Sequence, residues 1–473
     1  MSIRARFIVL LFAIAVLFSA CVNLEKAGQQ FADDDFSLQA MFSENGRYIV
    51  VHSSGELSSR TKAGIEKAGG TIKESFPEIG VTVVTSDSPE FARLAGKTPG
   101  VSFVGPDLFV TLESPESGLL VEADIDDLIS ENGITDNDLY VAYQWDIKRV
   151  GGDAATWDIE KGDGAVVAVL DTGVYAAHPD IAPNYAYGKN FTDITVTLPE
   201  GWILWDGGGA QDYEGHGTHV AGTIAASIES GRIIGVAPEA GIANYKVMIA
   251  VLIPQGPGSY RATGIGYQSW IINGIVQAAE DGVDVMNLSL GGWLYMNEPG
   301  GAAAYVAYLR ATQYARQKGV LVVSSSGNGG VDLSKVRPAF SVPSGTPAAL
   351  SVNATGPDDS LAFYSNYGAS ETLVVAPGGD ISNPPFSYCL SAYSPLNAWA
   401  PGAGWVWTIG TSMAAPKVSG VAALLYAQNP GISVSQVKNI LAQTAEPLVK
   451  KGFDSKLGHG LVHAYRALTY QKK

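Results

Sequence analysis

Beyond Tyr140, apolar segments of strand length alternate with segments of helical periodicity. Ala165–Leu170 and Gly319–Val323 are continuous apolar runs, a pattern typical of strands buried on both faces. Ile242–Val247 and Val283–Leu288 are apolar apart from two polar residues each, and they are weaker strand candidates. Alternation of this kind predicts a mostly parallel α/β sheet. The predicted helices are His216–Ala226, Ser269–Glu280, Ala303–Gln317, Met413–Ala427 and Val434–Ala445, the last with Ser433 as its N-cap.

A smaller unit precedes this part of the chain. Strands are predicted at Tyr48–His52 and Val81–Thr85, and one or two more within Val101–Val110. Helices are predicted at Ser58–Ala68 and Pro89–Ala95. These elements predict a small α+β domain over residues 47–111. Residues 112–138 follow as an acidic linker without Lys or Arg, and residues 21–46 form a polar tether before the domain.

The chain begins with the features of an export signal. Arg4 and Arg6 precede the apolar run Phe7–Ala20, which is shorter than the roughly 20 residues that a spanning helix needs. Residues 1–20 are therefore predicted to be a secretory signal peptide. The sequence Phe-Ser-Ala-Cys at positions 18–21 is similar to a bacterial lipobox, which implies a lipid on Cys21. An ordinary cleaved signal peptide is the alternative, and both predict an exported protein.

The amino-acid composition excludes further classes of protein. The 473 residues include 46 Asp and Glu against 30 Lys and Arg, a net charge of −16. This balance argues against a nucleic-acid partner, because phosphate binding needs clustered basic residues. The two cysteines exclude a disulfide framework, and Cys389 is predicted to be a structural free thiol. Loop insertions are predicted where Pro, Gly or aromatic residues are dense, at Tyr185–Gly209, Ile253–Gly258, Gly378–Gly404 and the overlapping segment Ile381–Trp405.

Three glycine-rich segments carry candidate chemistry. Asp171 follows the apolar strand in Asp-Thr-Gly, at the carboxyl end where sites form in open α/β sheets. His216 starts a helix in Gly-His-Gly-Thr-His, and Ser412 lies in Gly-Thr-Ser-Met-Ala-Ala-Pro, at a helix N-terminus that favours negative charge. Taken singly, His216 and His219 with Asp180 could also bind a metal, and Ser412 could be only an N-cap.

Together, in the order Asp, His, Ser, these segments resemble the subtilisin-like serine proteases, or subtilases. The resemblance spans about Tyr140–Ala467 and implies a catalytic domain over 139–473, a three-layer sandwich around a mostly parallel sheet. Further matching segments are Val320–Asn328, Asn287–Gly292, Gly235–Pro238 and Gly458–Val462.

The resemblance implies a role for each matched residue. Ser412 is the expected nucleophile, His216 its base and Asp171 the residue that orients the imidazole; His219 is then structural. Asn328 is expected in the oxyanion hole. No cofactor is expected for the chemistry, but structural calcium is possible, with Asp180 as a ligand and Glu229 nearby. The expected substrate-binding residues, whose small side chains leave room for a large apolar residue, are Ser289, Leu290, Gly291, Ser325, Ser326 and Gly327.

For the N-terminal unit, the resemblance implies a ferredoxin-like propeptide that inhibits the enzyme intramolecularly, with the tail from Asp107 to Val110 in the cleft. The resemblance therefore implies a self-processing zymogen that acts on proteins or peptides. It would be associated with membranes only through the lipid on Cys21. Processing after this domain would separate the enzyme from that anchor. The alternatives are an unrelated tethering domain, a catalytically idle binding protein on the same fold, and a serine hydrolase of esters or small amides.

Overall fold

The structure is a computed structural model. It describes residues 46–471 apart from 54, 113–119, 124–137, 231, 299, 337–338, 369–371 and 451. The predicted signal peptide, Cys21 and the tether up to residue 45 lie outside the described residues, as does most of the predicted linker. Within the part that is described, no helix is both long and apolar enough to cross a membrane.

The N-terminal domain is a four-stranded antiparallel sheet covered by two helices. Its strand order, β2-β3-β1-β4, with the chain order βαββαβ, is that of a ferredoxin-like fold. Ile65 and Phe91 of the helices pack on Val50 and Val84 of the sheet. The elements are β1 (Arg47–His52), α1 (Ser59–Lys67), β2 (Thr71–Phe76), β3 (Val81–Thr85), α2 (Phe91–Ala95) and β4 (Val101–Pro106).

Only β2 was not predicted in this domain. Its sequence, Thr-Ile-Lys-Glu-Ser-Phe, is largely polar, and Phe76 is its one buried residue. The strand forms because β3 pairs with it along its length, an edge position in which a polar strand face meets solvent. The segment over which an α+β domain was predicted therefore contains one strand more than expected.

Beyond β4, strands alternate with helices along the part of the chain that the structure describes. The strands are β5 (Phe109–Thr111), β6 (Val121–Glu122), β7 (Val166–Asp171), β8 (Tyr185–Asn190), β9 (Ile203–Leu204), β10 (Gly241–Lys246), β11 (Ile249–Gly256), β12 (Ser259–Tyr267), β13 (Val285–Leu288), β14 (Gly292–Tyr295), β15 (Leu321–Ser325), β16 (Ala339–Val342), β17 (Leu350–Thr355), β18 (Thr372–Pro377), β19 (Cys389–Ala392) and β20 (Trp405–Thr408). The helices are α3 (Asp138–Tyr143), α4 (Trp145–Arg149), α5 (Ala154–Trp157), α6 (His216–Ala225), α7 (Gln268–Glu280), α8 (Gly301–Gln317), α9 (Thr411–Gln428), α10 (Val434–Thr444) and α11 (Ala464–Leu468).

A seven-stranded sheet in the order β18-β17-β15-β13-β7-β10-β8 forms the middle layer, and every neighbouring pair in it is parallel. Helices cover both faces. In β7, Val167 and Val169 face the layer that contains α6 and α9, whereas Ala168 and Leu170 face α7 and α8. This alternation confirms the predicted three-layer α/β sandwich.

Three predicted loop insertions contain strands, so those predictions were wrong in part. Ile253–Gly258 lies at the tip of the hairpin of β11 and β12, where its Pro and Gly residues suit a turn. Tyr185–Gly209 begins with β8, the edge strand of the main sheet, and Gly378–Gly404 contains β19. The strands β17 and β18 were missed because their buried positions include polar residues such as Asn353 and Thr355.

The predicted linker also requires correction, because parts of it belong to sheets. The Leu112 amide donates to the Gly264 carbonyl at 2.9 Å, which extends the antiparallel pairing of β5 with β12. Farther along, β6 pairs antiparallel with β20, and α3 begins at Asp138, one residue before the predicted domain boundary. Residues 113–119 and 124–137 lie outside the described residues.

Candidate active site

The three glycine-rich segments meet at the carboxyl edge of the parallel sheet. Asp171 is the last residue of β7, His216 is the first residue of α6, and Ser412 is the second residue of α9. Gly217 allows this approach: a Cβ there would lie 2.1 Å from the Gly173 carbonyl oxygen and 3.1 Å from Asp171 Cβ. The helix start therefore lies directly against the end of the strand.

Asp171 and His216 form a buried pair. The Asp171 Oδ1 atom lies 2.8 Å from His216 Nδ1 and also accepts the Thr172 amide at 2.8 Å. A carboxylate only accepts hydrogen bonds, so the pair requires the proton on Nδ1 and leaves Nε2 as the basic nitrogen of the neutral ring. Asp171 is fully buried, whereas 12% of the His216 side chain is exposed.

Two further carboxylates lie beside this imidazole. Glu214 Oε2 accepts the His216 backbone N–H at 2.8 Å, and Asp212 lies two residues earlier. Burial lowers the pKa of His216, but the charges of Asp171, Glu214 and Asp212, together with the Asp171 hydrogen bond, outweigh burial and raise that pKa to about 9. The arrangement therefore favours a protonated ring strongly.

Ser412 is 7% exposed, and its hydroxyl donates to the Ser289 carbonyl at 3.0 Å. Transfer of its proton to His216 requires the hydroxyl to turn away from that carbonyl. Asn328 lies on the other side, where its Oδ1 accepts the Thr411 amide at 2.9 Å and the Thr411 hydroxyl at 2.8 Å. With Oδ1 held by Thr411, the Asn328 amide group faces the pocket that it lines together with Ser412.

This pocket contains five of the six residues predicted to bind substrate. The exception is Ser326, which is fully buried and donates its hydroxyl to the Asn366 carbonyl at 3.2 Å. Ser341 of β16 and Thr411 line the pocket although they were not predicted. The complete lining is Ser289, Leu290, Gly291, Ser325, Gly327, Asn328, Ser341, Thr411 and Ser412.

Pairing of β14 with β16 brings Ser341 to the pocket. A Cβ at Gly291 would lie 2.9 Å from the Val342 carbonyl oxygen. Glycine at this position therefore lets β16 approach the segment Ser289–Gly291 closely. The chain passes through α8 between Gly291 and Ser341, and no local motif in the sequence marked Ser341 as a pocket residue. A polar pocket wall is a departure from the expected room for a large apolar residue.

Comparisons with known proteins agree with this geometry. Residues 162–460 match the family model described as "Subtilase family". The chain belongs to the subtilase family. Subtilisin Savinase of Lederbergia lenta is 36% identical over 323 residues, which cover 68% of this chain and 97% of the relative. Subtilisin J of Geobacillus stearothermophilus is 29% identical over 473 residues, 99% of this chain and 100% of the relative.

A solved structure supports the fold over nearly the full length. The epidermin leader peptide processing serine protease of Staphylococcus aureus aligns with a TM-score of 0.68, and the match covers 91% of this chain and 100% of that one. Its sequence is 22% identical. With the subtilisins above, these findings identify this subtilase as a subtilisin-like serine endopeptidase.

His219, one turn along α6, is buried away from the subtilase pocket. Its Nε2 lies 3.2 Å from the carbonyl oxygens of both Cys389 and Val406. Burial lowers the pKa of His219 to about 3, and the charges of His216 and Lys417 act in the same direction. A neutral imidazole between backbone carbonyls is a structural arrangement rather than a metal ligand.

Asp180 is the residue that the family resemblance marks as a calcium ligand. The carboxylate is fully buried, its Oδ2 accepts the Trp405 indole N–H at 2.7 Å, and His178 Nδ1 lies 3.8 Å away. Its Oδ1 has no hydrogen-bond partner among the described residues, so one carboxylate oxygen is left for a cation. Across the residues that the structure describes, no three His, Cys, Asp or Glu side chains are grouped to hold a metal ion. A calcium ion at Asp180, which would need further oxygen ligands, stays a prediction.

Proposed function

We propose that this subtilase is made as an exported, self-processing zymogen that hydrolyses peptide bonds with Asp171, His216 and Ser412. The observation that carries the proposal is the buried Asp171–His216 pair, 2.8 Å apart, at the start of α6, which packs against α9, the helix that carries Ser412 as its second residue. A serine next to an imidazole that is itself held by a carboxylate is the arrangement that activates a hydroxyl for acyl transfer.

In the proposed reaction, the Ser412 hydroxyl turns to His216 Nε2 and attacks the peptide carbonyl. The imidazole takes the hydroxyl proton and gives it to the leaving amine, and Asp171 stabilises the imidazolium that forms between these steps. The oxyanion receives hydrogen bonds from the Asn328 side-chain amide and the Ser412 backbone N–H. The N-terminal end of α9 adds a favourable dipole at this position. Water then hydrolyses the acyl-enzyme by the same route.

The zymogen proposal rests on strands that flank the active site from one continuous segment. Before the site, β5 pairs with β12, and Leu112 continues that pairing beside Thr172, the neighbour of Asp171. After it, β6 pairs with β20, which leads directly to the helix that carries Ser412. The segments on either side of residues 113–119 are therefore held in extended, substrate-like pairing, which favours cleavage after Leu112, within residues 113–138.

The N-terminal domain also makes polar contacts that suit an intramolecular inhibitor. Asp107 is fully buried and accepts the Ser269 amide at 3.0 Å and the Ser269 hydroxyl at 2.6 Å, at the start of α7. Arg310 of α8 donates to the carbonyls of His52 and Ile79 at 2.7 and 2.9 Å. These contacts support an inhibitory domain more than an unrelated tether, because they orient β5 toward the cleft.

Intact mass of the exported protein tests the proposal. We expect the wild type to yield a catalytic fragment that begins within residues 113–138, whereas Ser412→Ala stays uncut. Ser435→Ala, an exposed serine of α10, should be processed like the wild type. The mass of the uncut variant also shows whether Cys21 carries a lipid, and thus whether the enzyme starts as a membrane-anchored lipoprotein. Cleavage of both proteins at the same site would assign processing to another protease.

Activity on added substrate separates the remaining alternatives. The processed wild type should digest casein, and a fluorophosphonate probe should label Ser412 alone. Hydrolysis of short esters without casein digestion would favour the ester or small-amide hydrolase. Absence of both activities and of labelling would indicate a catalytically idle binding protein. The chemistry requires no cofactor in this proposal, so chelation should leave the initial rate unchanged.

A further inference from the structure

Glu214 is a buried carboxylate at the active site that the proposed triad does not use. It is 7% exposed, and its Oε2 accepts the backbone N–H of His216 at 2.8 Å. The residue between them, Gly215, has φ +109°, and a Cβ there would lie 2.2 Å from the Tyr393 ring. Glycine at this position therefore lets the chain fold Glu214 back over the first N–H of α6 beneath that ring.

The neighbouring carboxylate, Asp212, has its charge distributed over five hydrogen bonds. Its Oδ1 accepts the Thr172 hydroxyl and the amides of Glu214 and Gly215, and its Oδ2 accepts the amide and hydroxyl of Thr218. Glu214 has only the His216 amide as a described hydrogen-bond donor. Of the two carboxylates that precede α6, Glu214 therefore accepts fewer hydrogen bonds than Asp212, and its charge is the less compensated one near the imidazole.

We propose that Glu214 is a positioning residue whose charge raises the proton affinity of His216 and sets the lower pH limit of proteolysis. This inference rests on the proposed function, because it takes His216 as the base. The charged groups near His216 are Asp171 from β7 and Asp212 and Glu214 from the loop before α6, and the Tyr393 ring, from the segment between β19 and β20, lies against Gly215. His219, on the next turn, is neutral.

The pKa directions agree with this geometry. Burial raises the pKa of Glu214 to about 7, with His216 opposing and Asp212 reinforcing the shift. In turn, the charge of Glu214 is among those that raise the pKa of His216 to about 9. The two groups titrate as a coupled pair: above neutral pH Glu214 is ionised and favours the imidazolium, and neutralising Glu214 removes that preference.

The test is the pH profile of kcat/KM for Glu214→Gln on a chromogenic peptide. Glutamine keeps a carbonyl oxygen for the His216 amide but carries no charge. Because proteolysis needs neutral His216, loss of the charge should shift the acid limb to lower pH by about one unit, the usual effect of one nearby charge. On that limb kcat/KM rises about tenfold. Glu200→Gln, which removes an exposed carboxylate, is the matched control and should leave the profile unchanged.

A readout without turnover separates this inference from the proposed function. In the Ser412→Ala background, NMR titration of the 13C-labelled histidines gives the His216 pKa directly, and Glu214→Gln should lower it by the same shift. An unmoved His216 pKa would overturn the role of Glu214 even if the enzyme is active. If the His216 pKa falls in Glu214→Gln while the wild type shows no proteolysis, Glu214 does raise the His216 pKa but the proposed function fails.

Discussion

Breaking the buried ion pair between Lys417 and Asp146 should destabilise the catalytic domain strongly. Lys417 lies on α9, five residues after Ser412, and its Nζ is 2.7 Å from Asp146 Oδ2 of α4. Both side chains are at most 1% exposed. Burial lowers the pKa of Lys417, but Asp146 outweighs burial and raises it. The neighbouring carboxylate therefore favours the charged form of the lysine.

Lys417→Met leaves the Asp146 carboxylate buried and unpaired, and its Oδ1 already has no hydrogen-bond partner. Removing one partner of a buried pair costs about 3–5 kcal/mol. An unfolding entropy of about 2.1 cal/mol/K per residue, over a domain of about 330 residues, converts this loss to a fall in Tm of about 4–7 °C. The double variant Asp146→Leu/Lys417→Met removes both charges and should recover most of the loss.

The assay is urea unfolding, followed by tryptophan fluorescence and circular dichroism, in the Ser412→Ala background to prevent autolysis. Burial without a partner disfavours the ionised Asp146 of Lys417→Met, so this variant should lose less stability at low pH, where the carboxyl group binds a proton. The reasoning would be refuted if the double variant were as unstable as Lys417→Met and if the stability lost in Lys417→Met did not depend on pH. The loss would then come from packing around Met413 and Cys389 rather than from an unpaired charge.

Two further predictions concern the active site. Asn328→Ala should lower kcat about 10²–10³-fold with little change in KM, the usual cost of one oxyanion donor in enzymes of this family; a loss below tenfold in steady-state assays would exclude that role. Gly217→Ala should abolish activity, because its Cβ would lie 2.1 Å from the Gly173 carbonyl oxygen. The control Gly241→Ala, whose Cβ meets nothing closer than 3.6 Å, should retain normal activity in the same assay.

Several features were predictable because they depend on local sequence. The burial of β7 on both faces is visible as a continuous apolar run, and Asp171 follows it directly. The frames around His216 and Ser412 mark helix starts, since glycine and small residues there permit close packing. Together these local signals predict that the three segments lie near one edge of the sheet, because carboxyl ends of parallel strands share that edge.

Other features were misjudged because their cause lies in distant segments. The strand β17 contains polar residues that are buried in the main sheet, and its local sequence pattern cannot be distinguished from that of a loop. Ser326 stands between two pocket residues in sequence, yet it turns inward because Asn366 accepts its hydroxyl. The surroundings of Asp180 were not predictable either, because the Trp405 indole, 225 residues away, donates to its Oδ2.

The amino-acid sequence by itself determined the fold class and marked Asp171, His216 and Ser412 as the candidate triad, because periodicity and short glycine-rich frames are local properties. Only the tertiary structure decided which polar groups share one buried volume: Ser341 in the pocket wall, Glu214 against the His216 amide and Lys417 against Asp146. Hydrogen bonds and buried charges depend on distances of a few ångströms between segments far apart in the chain. Such distances are set by packing of the whole domain, and no window of sequence contains them.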